Sequence, residues 1–195
     1  MKIGFGYYLE DALVAYIVKQ WKSQKIKIGR TVVQKICYFL KAQGVPMLYD
    51  FEMHHYGPYS QDLYYRMDEL VADNILTDTS ETPKWSHYLP GDRADEIIST
   101  YHDEIEMFKD KIDNLLGLFG RFGPADLELL ATIHYFYVTH KRYFRKPPSK
   151  NWVIDRVIMA KKDKLRGVLL DDPRGPGEKI GQALRRPRVF YGNPA

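Results

Sequence analysis

The chain has a single cysteine, Cys37, so it can form neither an intrachain disulfide nor a thiolate metal cage, and it suits a reducing compartment. No run approaches the ~20 apolar residues that span a bilayer. Met1-Lys2 is not followed by the apolar stretch and cleavage site of a secretory signal. The expectation is a cytoplasmic protein with no membrane partner. The phosphate cradles GxxxxGK(S/T) and GxGxxG are missing, as are HExxH and the nucleophile elbow, and there is no internal repeat.

What the chain has in excess is tyrosine, fifteen in 195 residues. A tyrosine ring is apolar with a polar tip, so rings beyond the needs of a core tend to sit half exposed at interfaces. Charge is divided unevenly. Residues 1–140 carry 14 Lys+Arg against 20 Asp+Glu, a net of −6, and residues 141–195 carry 15 against 5, a net of +10. An acidic body and a basic tail imply an electrostatic role for the C-terminal region, or an attraction between the two parts.

Leu9, Ala12, Leu13, Tyr16, Ile17 and Trp21 recur at helical spacing and predict a helix over about Tyr8 to Trp21. A second, from about Thr31 to Ala42, is apolar on most sides and therefore central, with Thr31 as N-cap and Gly44 as its stop. Phe51 to His55 alternate as in a short strand that Gly57-Pro58 ends. A third helix follows from Ser60, its N-cap, to Asp73. Ile75 to Asp78 and Trp85 to Leu89 then read as a hairpin around Thr79 to Pro83, the wing of a winged-helix-like core. Beyond Pro90-Gly91, Asp92 and Asp95 are placed to cap one long amphipathic helix from about Arg93 to Phe119. Its apolar seam from Ile97 to Phe119 calls for packing within the chain or, alternatively, for homodimerisation. Further helices are expected from Pro124 to about His140 and from Asn151 to Leu165. Asp171 to Gly177 reads as loop and Pro187 to Ala195 as a loosely anchored terminus. The fold class is mainly α with a small β component (α+β), organised as a winged-helix domain over 1–140 and a basic, partly helical extension over 141–195.

Chemistry is sparse. Adjacent strand residues point to opposite faces, so His54 and His55 do not chelate one metal in regular β geometry; a structural histidine beside the Gly-Pro corner is the competing reading. His134 and His140 fall on different helix faces. Scattered carboxylates read as solvated, so no enzyme, cofactor or metal is expected. A groove-reading helix needs basic or amide side chains, but the third helix sets Gln61 and Arg66 against Asp62, Asp68, Glu69 and Asp73. Nucleic acid would more naturally meet Lys25, Lys27 and Arg30, with Lys141, Arg142, Arg145, Lys146, Lys161 and Lys162, through salt-sensitive contacts. A solvated face or a clamp on the acidic body is the alternative for these residues. For a protein partner the candidates are Tyr56, Tyr59, Tyr64, Tyr65 and Arg66, a tyrosine cluster among carboxylates suited to a basic partner, unless those rings pack inside.

Three segments carry a family resemblance: Gly29-Arg30 with the KICYFLKAQG run from Lys35 to Gly44, the HYGPYSQDL run from His55 to Leu63 with the following DELVADNIL, and LELLATIHYFY from Leu127 to Tyr137. Over roughly Tyr8 to His140 the chain resembles the bacterial and archaeal YwgA-like proteins. These look similar in turn to the Panacea domain of SocA-like antitoxins, with its K-x-x-Y-F segment and Y/W-G-P corner. The resemblance implies a module that binds a toxin or a regulatory protein, and it brings no catalytic residues. The basic tail departs from the family pattern.

Overall fold

The computed structural model describes residues 6–21, 27–82 and 85–161. The chain divides into two compact units, one comprising Met1–Phe51 and Tyr59–Leu127, the other Glu52–Pro58 and Glu128–Ala195. The secondary structure is mainly helical with two small antiparallel sheets. Among the described residues no helix is long and apolar enough to cross a membrane.

The first unit is built around two enclosed helices, α1 (Leu9–Trp21) and α2 (Arg30–Ala42). Every residue from Glu10 to Val18 and from Val32 to Leu40 is buried, so neither helix keeps a polar face and each buried polar group needs a partner. Asp11, fully buried, has several. Its carboxylate accepts the Tyr8 N–H at 2.8 Å, which caps α1, and it receives two hydrogen bonds from Arg66, Nε at 2.7 Å and Nη2 at 2.6 Å. Arg66 lies on α3 (Gln61–Ala72), which is capped by the Ser60 hydroxyl accepting from Leu63 N–H. Leu63, Met67 and Leu70 form its buried stripe.

The hairpin is shorter than its sequence suggests. Strands β3 (Leu76–Asp78) and β4 (Tyr88–Pro90) pair antiparallel with Leu76 opposite Pro90 and Asp78 opposite Tyr88. Past this ladder Thr79 N–H still donates to the His87 carbonyl at 2.8 Å, and the Asp78 carboxylate accepts the N–H groups of Ser80 and His87 at 2.9 and 3.0 Å, closing the end of the hairpin. Tyr88 N–H in turn donates to the Ile28 carbonyl at 2.9 Å.

Two capping expectations and the long helix are corrected. Helix α2 is capped by Gly29 and the helix that begins at Ala94 by Arg93, neither through a side-chain bond, so Thr31, Asp92 and Asp95 do not cap. In place of one helix from Arg93 to Phe119 there are three, α4 (Ala94–Thr100), α5 (His102–Glu106) and α6 (Lys109–Phe119). Their seam residues Ile97, Ile105, Ile112, Leu115 and Phe119 are buried, and all three helices pack on α1. The reason is length. At 1.5 Å per residue a continuous helix of this span runs about 40 Å, twice the length of α1, so the seam reaches α1 only if the chain bends. It bends at Tyr101 and Phe108, where φ is −111 and −114, and the Tyr101 hydroxyl then donates to the Tyr7 carbonyl at 2.5 Å. The seam is thereby occupied within the chain.

The second unit holds β1 (Glu52–His54), which pairs with β2 (Gly57–Tyr59), most of α7 (Pro124–Phe144), and α8 (Lys150–Ala160), capped by the Ser149 hydroxyl. The sequence places this last helix at Asn151 to Leu165; residues 162–165, the Asp171 to Gly177 loop and the terminus lie outside the described residues.

The burial difference around Arg66 sets an expected order of stability. Asp11→Ala strands a guanidinium and costs about 3 kcal/mol, whereas Glu69→Ala, which removes the exposed partner at 2.6 Å, costs under about 1 kcal/mol. Urea denaturation of the two variants measures this order.

Candidate recognition face

The YGPYS corner is fixed from both sides by backbone demands. Gly57 has φ +79, in the left-handed region that favours glycine. A Cβ there would lie 2.7 Å from Thr132 Oγ1 and 3.2 Å from the Glu128 carbonyl. Three residues on, in the first unit, Ser60 and Gln34 exchange two hydrogen bonds: Gln34 Nε2 donates to the Ser60 carbonyl at 2.8 Å and Ser60 N–H donates to Gln34 Oε1 at 2.9 Å. Both residues are buried. A side-chain amide thus substitutes for a strand partner, and α2 carries the start of α3 on it.

The same helix supplies Arg30. Its Nη2 donates to Asp68 Oδ1 at 2.6 Å and its Nη1 to Asp68 Oδ2 at 3.3 Å and to the Tyr64 carbonyl at 3.1 Å. The guanidinium carbon lies 4.0 Å from the Tyr64 ring centroid, a stacked cation–π arrangement. Tyr64 contacts Tyr65 at 5.5 Å, edge to face, and Tyr59 at 6.2 Å. Tyr65 is 58% exposed, Tyr59 and Tyr64 are half-buried, and Gln61, Asp62, Asp68 and Glu69 are exposed beside them. The result is a tyrosine face with one ring braced by Arg30 and a carboxylate border.

The candidate residues thus take different roles. Tyr59, Tyr64 and Tyr65 are together; Tyr56 is 56% exposed and belongs to the second unit. Arg66 is committed to Asp11 and Glu69, hydrogen bonds that hold its guanidinium well above the ordinary arginine range. Among the basic candidates Arg30 is tied to Asp68, and Lys27, Lys141, Arg142, Arg145 and Lys146 are exposed. Lys161 is not: it is 5% exposed, and its Nζ donates to Glu128 Oε1 at 2.5 Å and to the His55 carbonyl at 2.9 Å. It closes a buried ion pair instead of meeting solvent. Lys25 and Lys162 lie outside the described residues. The bracing role of Arg30 and the Gln34 lock escape sequence reading, because nothing local marks a pairing between residues 26 or 38 positions apart.

Burial holds two titratable groups inside the chain, Cys37 and His134, in their neutral forms. Burial pushes the Cys37 thiol up to about 12, so it serves as a small core group. His134 on α7 is buried, and burial pushes it down to about 4. His54 and His55 are exposed. Among the described residues no three His, Cys, Asp or Glu side chains gather as a metal cluster. A cleft of about 190 Å³ between Tyr7, Arg93, Glu96, Ile97 and Tyr101 falls below the ~300 Å³ of ordinary small-molecule sites. Gly57→Ala combines left-handed strain with a steric clash and is expected to cost about 3 kcal/mol, read as a lowered urea midpoint. For His134 the folded state takes up its proton only near pH 4 while the unfolded chain does so near 6.5. Stability from this residue is therefore present above pH 6.5 and falls as pH drops toward 4, by up to about 3 kcal/mol. His134→Leu should flatten that slope relative to the parent in urea titrations between pH 7 and 4.

No family model matches the chain. It is 30% identical over 126 residues, 63% of its own length and 73% of the relative's, to the uncharacterised protein YwgA of Bacillus subtilis (strain 168). With the matched segment covering most of that relative, the chain belongs to the YwgA family.

Proposed function

We propose that this protein is a non-enzymatic protein-binding module, antitoxin-like or regulatory, that engages its partner with the outer face of α3. The observation that carries the reading is the Tyr59-Tyr64-Tyr65 cluster, braced by Arg30 and bordered by Asp62, Asp68 and Glu69. Half-exposed tyrosines on a rigid helix supply apolar contact area at a low entropy cost, and the carboxylates select a basic partner surface.

Helices α2 and α3, the β3–β4 hairpin and the backbone bond from Tyr88 to Ile28 together make a winged-helix-like scaffold in this reading. Its third helix presents acidic side chains where a groove-reading helix needs basic ones, which favours protein over duplex DNA as the occupant of this face.

Affinity purification of the tagged chain from its native host, with Tyr65→Ala and Asp68→Lys variants beside the parent, tests the proposal. The expected outcome is one reproducible protein partner with a basic surface, bound about tenfold or more weakly by each variant. Equal recovery with all three baits, or no partner together with tight duplex DNA binding by the purified chain at physiological salt, overturns it.

A further inference from the structure

The second unit carries an aromatic surface of opposite electrostatic character. At the end of α7 and along α8 four rings are in series: Tyr143 meets Phe144 at 4.9 Å, Phe144 meets His140 at 4.5 Å, and His140 meets Trp152 at 4.5 Å. The Arg156 guanidinium lies 5.4 Å from the Trp152 ring. The series is held in place by its own elbow. Arg145 takes φ +57, turning the chain out of α7, and His140 Nδ1 lies 3.1 Å from the Lys146 carbonyl. A carbonyl only accepts, so Nδ1 carries the proton in this bond.

Two features of this surface need a partner. Tyr143 is 80% and Phe144 53% exposed, costly for adjacent large rings on a rigid support. Between residues 141 and 156 there are six cations, Lys141, Arg142, Arg145, Lys146, Lys150 and Arg156, against one carboxylate, Asp155, and all seven side chains are on exposed residues. The ligand that answers both is a polyanion with exposed planar rings. Duplex DNA satisfies the charge but hides its base faces, and an acidic polypeptide satisfies the charge without stacking. Single-stranded nucleic acid meets both requirements, its bases on the rings and its phosphates on the lysines and arginines.

We propose that the α7–α8 elbow is a single-stranded nucleic-acid binding site, with Tyr143 and Phe144 as the stacking platform and Lys141, Arg142, Arg145 and Lys146 as the phosphate contacts. The site is independent of the α3 face, so either proposal can fail without the other.

Fluorescence anisotropy of the full chain with a labelled oligothymidylate of about 12 nucleotides is the test, with oligouridylate of the same length telling DNA from RNA. Four phosphate contacts give a slope of log affinity against log salt of about −3. Tyr143→Ala with Phe144→Ala should weaken binding tenfold or more at an unchanged salt slope. Lys141→Gln with Arg142→Gln should roughly halve the slope. Tyr143→Ala alone, at an 80% exposed position, gives the same direction of change should the double variant fold poorly. The proposal is overturned if the oligonucleotides do not bind at about 50 mM salt, if the matching duplex or polyglutamate binds as tightly, or if removing the rings leaves affinity unchanged.

Discussion

A carboxylate enclosed at the centre of a helix bundle has to be paired, and here the Asp11–Arg66 contact is what the first unit is arranged around. Asp11 is fully buried at the start of α1; unpaired, it would cost several kcal/mol. Arg66 reaches it with a two-pronged contact at 2.6 and 2.7 Å, and that ties α3 to α1. Tyr7, just ahead of α1, lies within 6.0 Å of the same guanidinium and 5.4 Å of Arg93, and Tyr101 bonds its carbonyl. The buried charge thus fixes α3 against α1, and the chain entering α1 is held beside it by Arg66, Arg93 and Tyr101.

The outer face of α3 follows from that inner contact. With Leu63, Met67 and Leu70 turned inward and Arg66 committed to Asp11, the residues left outside are Gln61, Asp62, Tyr65, Asp68, Glu69 and Ala72. Arg30 then crosses from α2 to bind Asp68 and cover Tyr64, so a ring that would otherwise sample several rotamers is braced. In the second unit the buried charge is Lys161, answered by Glu128, and the exposed charge is basic. The two units share a logic, an ion pair inside and aromatic rings at the surface, with opposite surface charge.

Much of this was readable along the chain. Ser60 as the cap of α3, Gly44 with its positive φ of 80 beyond α2, and the enclosed character of α2 follow from local chemistry and apolar periodicity. The tyrosine cluster was legible as residues but not as a surface, because the ring of Tyr64 at its centre is covered by Arg30, 34 positions away. Lys161 shows the opposite error. In sequence it sits in a basic run and reads as solvated, yet Glu128, 33 positions earlier, draws it inside. The single long helix failed for a related reason: a seam repeat records which residues are buried, not how long a partner they have.

The sequence by itself determined the mainly helical class, the presence of the hairpin, the cap at Ser60, and the split between acidic body and basic tail. Each depends on a residue and its near neighbours, or on charge that folding does not change. Only the tertiary structure decided which charges are spent inside and which face outward. Arg66 and Lys161 became internal counterions and Arg30 a brace, while Lys141 to Lys146 stayed in solvent. Pairing a buried charge is a matter of distance in space, and spacing along the chain does not carry that distance.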